Sequence, residues 1–334
     1  MACGFGFMMG LSPREPIARF GALAHQAEAL GFEAAYLADS QLYTKDVYVA
    51  LALAAGATST IAIGPGVTNP ITRELTVTAN AIAAVGEVSG GRALLGIGAG
   101  DAAVFPLGRT PASIATLRSA IESLRALAQG ETIVAGEHGV SVAAGRAEHP
   151  ILLAASQPRM LRLAGAVADG VIVMGAADPA LTAWQLDHVA AGARSVGRTL
   201  DDLTIDLWFT ISLSDDRARA LSDVRPWAVS QARWFHRWRA LPEPLLPWAD
   251  EFRAAEEAHD FRRHLARGSD ATPSVSDEFV DWIGVAGDLD HCIAKIRPLL
   301  ELGLDRITFA LLPGGRGERL KRYGCELLPA LNPS

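Results

Sequence analysis

Short apolar runs and amphipathic stretches alternate along most of this chain. Gly4 to Met9, Phe32 to Ala38, Ile61 to Ile63 and Ala93 to Ile97 read as strands. So do Pro150 to Ala154, Gly170 to Met174, Leu203 to Leu213 and Arg306 to Leu311. Between them, apolar residues recur at helical spacing, as at Ile17, Phe20, Leu23, Ala24, Ala27 and Leu30, and stop at Gly31. Ser12-Pro13-Arg14-Glu15 reads as the N-cap of that helix, with proline at its first position. Further helices are expected at 46–57, from about Arg73 to Val88, from about Ala112 to Ala128 and behind Pro158. The last three run from Asp178-Pro179 to about Val196, from Leu289 to Leu302 and from Arg316 to Leu328. Eight strand–helix units predict a parallel sheet closed into a (β/α)8 TIM barrel of the α/β class.

Two stretches break the alternation. Residues 130–149 carry two short β-like runs around Gly136 to Gly139, which predicts an inserted hairpin. From Asp215 to about Asp281 the pattern becomes mostly helical, with a charged run and five of the seven tryptophans: Trp227, Trp234, Trp238, Trp248 and Trp282. They read as core, as interface or as the wall of a substrate site, with core favoured by their helical spacing. The expected organisation is a single domain over 1–334, with a lid-like insert at about 215–281.

Composition narrows the partners. With 334 residues, half of them hydrophobic, the chain is long enough for one large barrel. A formal charge of −7 argues against a general nucleic-acid or anionic-membrane binder. No apolar run is long enough to span a membrane, and MACGFGFMMG lacks the features of a leader. The three cysteines (Cys3, Cys292, Cys325) are scattered and fit reduced thiols, so a cytoplasmic location is expected. The eight histidines show no metal pattern; His259 and His264 read as solvated.

Candidate chemistry concentrates between Ile61 and Asp101. A strand stops at Gly64-Pro65-Gly66 and runs through Val67-Thr68-Asn69-Pro70 into a helix. The next strand ends in Gly98-Ala99-Gly100-Asp101. This βαβ unit puts its polar residues at the C-terminal strand ends, where parallel α/β folds bind ligands. Gly96-Ile97-Gly98-Ala99-Gly100 departs from G-x-G-x-x-G and lacks the acidic residue of a dinucleotide site. There is neither a nucleophile elbow nor a Walker A sequence.

GPGVTNP, a helix and SGGRALLGIGAGD together resemble the luciferase-like superfamily of flavin- and deazaflavin-dependent oxidoreductases. Within it the pattern is nearest to F420-dependent methylenetetrahydromethanopterin reductases and their bacterial relatives. The resemblance implies a TIM barrel, a bound F420 or FMN, and a non-prolyl cis peptide at Gly66-Val67 supporting the back of the ring. Thr68 and Asn69 would offer hydrogen bonds to the ring's polar edge, and Ala99 and Gly100 would lie against it.

Asp101 stands where barrel enzymes place catalytic groups, and in related F420-dependent sugar dehydrogenases the matching position holds a glutamate. It is the first candidate for proton transfer; a solvated loop carboxylate or helix cap is the plain alternative. Asp39-Ser40 ends the second strand as a further catalytic and ring-binding candidate. The reductases usually have Asp-His there, so serine points to a different substrate, and Ser40 also reads as an N-cap. Ala155-Ser156-Gln157 precedes a helix whose free N–H groups, with Arg159 and Arg162, suit the cofactor's phosphate; ordinary capping is the alternative. Gly175-Ala176 is a second candidate for the same phosphate.

These features lead to an F420-dependent oxidoreductase that transfers hydride between the cofactor and a small organic substrate. One alternative keeps the fold and uses reduced FMN and oxygen in a two-component monooxygenase. Another is a flavin-binding protein without turnover. Homodimerisation through helices near the second to fourth strands is expected from the resemblance, and a separate flavin or F420 reductase is a candidate partner.

Overall fold

The computed structural model describes residues 3–143, 146–257 and 275–332; His259 and His264 lie outside them. The barrel begins with β1 (Gly4–Met9), α1 (Arg19–Ala29), β2 (Ala34–Leu37), α2 (Val47–Ala57), β3 (Ala62–Pro65), α3 (Leu75–Ser89), β4 (Leu95–Ile97) and α4 (Ile114–Ala128). A two-stranded antiparallel hairpin follows, β5 (Ile133–Ala135) and β6 (His138–Val140). Then come β7 (Ile151–Ala155), α5 (Pro158–Val167), β8 (Gly170–Met174), α6 (Pro179–Arg194) and β9 (Thr204–Leu213). After them run α7 (Arg217–His236), α8 (Ala249–Glu257) and α9 (Asp277–Ile283). The chain closes with β10 (Val285–Gly287), α10 (Leu289–Leu300), β11 (Arg306–Ala310), α11 (Arg316–Arg322) and α12 (Leu328–Leu331).

The strand order is β3-β2-β1-β11-β9-β8-β7-β4, parallel throughout. Isolated parallel bridges Ile63–Ala93 and Thr68–Ile97 bring β3 back to β4 and nearly close the ring. This is the expected (β/α)8 barrel. The strand β10, pairing with Ile211 to Leu213 of β9, was not among the expected ones. It has three residues next to Gly284 and ends at Gly287, too short to show a period.

The first helix starts later than Ser12-Pro13 suggested. Pro16 lacks the N–H that a helix begun at Pro13 would need for its first backbone bond, and proline disfavours helical angles at the residue before it. Residues 12–15 instead form a turn: Glu15 N donates to Ser12 O at 3.0 Å and Ser12 N to the Glu15 carboxylate at 3.0 Å. Arg316 then grips both Glu15 oxygens at 2.7 and 2.8 Å, joining the loop after β1 to the start of α11.

Two apolar layers hold the barrel. The larger lies between strands and helices, from Phe7 and Phe20 round to Phe309 and Leu327. The second fills the barrel interior with Ala34, Tyr36, Leu94, Leu152, Ile172 and Trp208. Low in this interior a charge is buried. Asp206 is wholly buried, accepts the Tyr36 hydroxyl at 2.6 Å and faces the Arg306 guanidinium at 3.3 Å. Burial pushes the Asp206 carboxyl up; burial, then the Asp206 charge, pushes the Tyr36 phenol up.

Residues 215–257 and 275–283 build a third core above the mouth. Phe235 meets Trp238 at 5.1 Å and Phe252 at 5.3 Å, and Trp248 meets Trp282 at 5.2 Å between ring centres. All five tryptophans of this region join or pack against that core, which favours the core reading of their spacing. Trp234 also faces the barrel mouth.

Candidate active site

The ends of β3 and β4 interlock through their backbones. Gly66 N donates to Leu37 O at 2.7 Å, Thr68 N to Gly96 O at 3.0 Å and Gly98 N to Thr68 O at 2.9 Å. The Gly66–Val67 peptide is cis. A side chain at Gly66 has no room: a Cβ there would stand 2.6 Å from Tyr36 Cβ and 2.7 Å from Trp208 Cη2. The bulge therefore rests directly on the Tyr36–Trp208 pair of the barrel interior. Partly exposed Met8, Val67, Ala154 and Met174 ring the top of that interior and give it an apolar surface.

Beside the bulge the polar side chains are bound to one another. Asp39, 7% exposed, accepts Arg73 Nε at 2.6 Å and Nη2 at 2.9 Å, and takes the Thr68 hydroxyl at 2.7 Å. Arg73 also reaches Asp46 at 3.2 Å and lies over the Tyr48 ring at 5.0 Å. Burial alone would lower the Arg73 pKa, but the hydrogen bond and charge of Asp39 carry it above its ordinary value. Burial likewise opposes ionisation of Asp46, yet the Val49 N–H and Arg73 hold its carboxyl below the usual range.

This arrangement changes three expectations. Asp39 has both oxygens committed to a bidentate guanidinium, which suits it to hold the loop rather than to exchange protons. Thr68 donates to Asp39. Asn69 accepts the Ile71 and Thr72 N–H groups at 3.0 and 2.9 Å and donates to Thr72 Oγ1 at 3.0 Å, so both side chains shape the loop instead of reaching for a ring edge. The N-cap of α2 is Asp46, not Ser40. The Ser40 Oγ is buried and, among the described residues, has no hydrogen-bond partner.

Asp101 follows β4 and is exposed; among the described residues its carboxylate makes no hydrogen bond. It lines an open cleft with Tyr43, Phe105, Arg233, Trp234 and Arg237. Gln41 Nε2 donates to Ala103 O at 2.9 Å, tying the loops after β2 and β4 together beneath it.

Next to β4, the loop after β7 is built differently. Gln157 takes the N-cap position of α5 without a side-chain cap, and Pro158 follows at the first helical position. Ala155 and Ser156 are buried, Gln157 is exposed, and Ser156 O accepts Gln185 Nε2 at 3.4 Å. The helix start is held in place because Gly165 and Gly192 let α5 and α6 touch backbone to backbone: a Cβ at either would fall 2.0–2.1 Å from a carbonyl. Gly175 and Ala176 do not share this openness. Gly175 O accepts Gln231 of α7 at 3.2 Å, Ala176 is 1% exposed in the upper core, and the Asp178 carboxylate caps α6 at 2.8 Å. A carboxylate at that cap disfavours a second anion.

Arg73, Asp46 and Tyr48 were missed in the sequence. Arg73 stands 34 positions from Asp39 and looked like the first residue of α3, whose N-cap is in fact Glu74. Among the described residues no cluster of three His, Cys, Asp or Glu is placed to hold a metal ion.

A nearly closed parallel barrel whose mouth joins a backbone bulge and an apolar rim to an exposed carboxylate has the form of the flavin-type oxidoreductase barrels. The chain belongs to the luciferase-like monooxygenase family, whose model matches residues 1–306. It is 31% identical over 329 residues to a 5,10-methylenetetrahydromethanopterin reductase of Methanolobus tindarius, covering 95% of this chain and 97% of that one. It is 30% identical over 330 residues to an F420-dependent glucose-6-phosphate dehydrogenase of Nakamurella multipartita, covering 92% and 91%. In fold it is similar to the coenzyme F420-dependent tetrahydromethanopterin reductase of Methanopyrus kandleri. That match has a TM-score of 0.81 at 24% identity, with 99% and 100% of the two chains covered.

Proposed function

We propose that this protein is an F420-dependent oxidoreductase that passes hydride between the deazaflavin and a small organic substrate at the barrel mouth. The observation that carries the reading is the apolar, backbone-built bulge at Gly66-Val67 lying beside the strand end that bears the unbonded carboxylate of Asp101. The F420 dependence of the related glucose-6-phosphate dehydrogenase supports the choice of cofactor. Residues of the mouth fit such a group: an orphaned hydroxyl at Ser40, a rim of apolar side chains and an uncapped helix start.

When bound, the cofactor supplies or accepts the hydride. Val67, Ala99 and Gly100 would hold one face of its ring, and Ser40 would donate to a polar edge or to the substrate. The first N–H groups of α5 at Arg159 and Met160, with Ser156 and Gln157 before them, would take the phosphate of its tail. Asp101 would give or take the proton that accompanies hydride transfer on the substrate. Asp39, Arg73 and Thr68 act as positioning residues that fix the bulge.

The barrel and its upper helices are read as one domain, with the described residues of the 215–281 insert walling the mouth and excluding water in the manner of a lid; 258–274 lie outside the described residues. Exposed Val49 and Leu53 on α2, beside Val77 and Val88 on α3, support a homodimer through that face. Among the described residues no helix is long and apolar enough to cross a membrane.

Titration of the purified protein with F420 and FMN side by side, followed by absorbance and fluorescence, tests the reading. Tight F420 binding with weak FMN binding is expected. The reverse preference would move the protein to the reduced-FMN monooxygenases, and binding of neither would leave the fold without this function.

A further inference from the structure

The floor beneath the Gly66 bulge is not purely apolar. Asp206 and Trp208, two positions apart on β9, share its inner face. In register with them, β11 sets Arg306 beside Asp206 and Thr308 beside Trp208. β1 adds no side chain between these groups and β2. Its Gly6 pairs with Thr308 on one side and Ala34 on the other, and a Cβ there would stand 2.6 Å from Thr308 Oγ1 and 3.2 Å from Arg306 Cδ. In the space this glycine leaves, Arg306 Nη1 donates to the Tyr36 hydroxyl at 2.9 Å, and that hydroxyl donates to Asp206 Oδ2 at 2.6 Å.

Stability alone explains such a tier poorly. A buried ion pair is often no better than well-packed apolar residues of similar volume, and its best-attested use is to select one arrangement. Burial opposes the Asp206 charge; Arg306, followed by the polar atoms of Tyr36, Thr308 and Trp208, favours it. What the tier can select is the pose of two rings. A phenol bound to both Asp206 and Arg306 cannot slide along the barrel axis. Its ring meets that of Trp208 at 4.7 Å between centres, with 59° between planes. Gly66 packs on both side chains so closely that neither leaves room for a Cβ.

We infer that Asp206 is a positioning residue: by holding Tyr36, and through it Trp208, it keeps the Gly66–Val67 bulge at one height and so sets where the cofactor ring lies relative to Asp101. Asp206 is wholly buried, so it acts only through the two rings. The last link, from bulge to cofactor, rests on the proposed function. The first, from Asp206 to Trp208, does not.

Two variants of the full chain test it. Tyr36→Phe cuts the link while keeping the ion pair, and the triple variant Asp206→Leu, Arg306→Met, Tyr36→Phe exchanges the whole tier for apolar groups. Both are labelled with 5-fluorotryptophan, and Trp208→Phe identifies the fluorine line of Trp208. In the cofactor-free wild type that line is expected to be single and narrow. In both variants it should broaden or split, while the triple variant keeps the urea midpoint of the wild type. Saturated with F420, both variants should bind it as tightly as the wild type does. They should nevertheless lose most of the circular dichroism that the protein induces in the visible band of F420, because the ring is no longer held in one pose. A role in stability alone would lower the midpoint and move neither signal. An unchanged Trp208 line overturns the inference, and so does a changed line with an unchanged induced signal. Should the triple variant not fold, Tyr36→Phe decides by the same two signals. If the wild type binds no F420, the assignment of cofactor falls, and the Trp208 line still decides whether Asp206 holds the rings.

Discussion

At the ends of β2 and β3 the side chains hydrogen-bond to one another, whereas at the end of β7 the chain leaves the first turn of α5 without a side-chain cap. The first side binds Asp39, Thr68, Arg73 and Asp46 into one network before any ligand arrives. The second side presents an N–H-rich helix end held steady by close contact of α5 with α6. The difference teaches a division of labour. A self-satisfied network keeps a shape, so it suits the face of a rigid ring. Unpaired donors on a fixed helix suit a negative charge.

The largest expected effect falls on the one carboxylate near the first side that is not part of the network. Asp101→Ala should reduce single-turnover hydride transfer about 10²- to 10⁴-fold with cofactor affinity unchanged, read by stopped-flow absorbance. A wild-type rate would remove Asp101 from the chemistry. Asp39→Ala comes next. It leaves the mostly buried Arg73 guanidinium without its bidentate partner, and urea unfolding should show a loss of about 3 kcal/mol. A loss below about 1 kcal/mol would mean that the network does not hold the loop.

The second side is probed by a change with two opposed signs. Gln157→Asp supplies the missing cap and should stabilise the fold by about 0.5–1 kcal/mol. The same carboxylate at the helix start should weaken F420 binding about tenfold or more. Stabilisation with undiminished affinity would place the phosphate elsewhere.

The smallest effect is a control far from the mouth, where Glu28 closes the other end of the barrel. Its Oε1 accepts the N–H groups of Ser59 and Ile61 at 2.8 and 2.9 Å, and of Thr60 at 2.5 Å. Burial opposes ionisation, but these backbone donors together hold the carboxyl down to about 2 from an ordinary 4.5. The folded value is depressed, so the contribution to stability is complete above about pH 4.5 and fades as pH falls toward 2. Urea midpoints of the wild type and Glu28→Gln should therefore differ at pH 6 and converge near pH 2, with cofactor affinity the same in both.

Most of the barrel was legible because most strands are apolar runs stopped by glycine, proline or an acid, and such runs survive without tertiary information. The hairpin was legible for the same reason: Gly136 at φ +63° marks its turn. β10 was not, since three residues hold no period. The start of α1 was misplaced because Pro13 looked like a helix opener and the veto of Pro16 was overlooked. At the site, the bulge and Asp101 could be named from a contiguous motif. The network around Asp39 could not, because Arg73, Asp46 and Tyr48 reach it only through folding. One signal was present and unread: Asp206 sits inside the apolar run IDLWF, and an acid in a buried strand requires partners, here Tyr36 and Arg306. Those partners lie beneath the bulge, so the support of the site was written in the core.

The division of labour is tested most directly by comparing F420 with the deazaflavin riboside that lacks its phosphate-bearing tail, titrated against the wild type under one set of conditions. The account predicts that F420 binds about a hundredfold tighter, the contribution of charge-assisted hydrogen bonds from the start of α5. Equal affinity for the two would contradict it, because the open helix end would then contribute nothing and the bulge side alone would hold the cofactor.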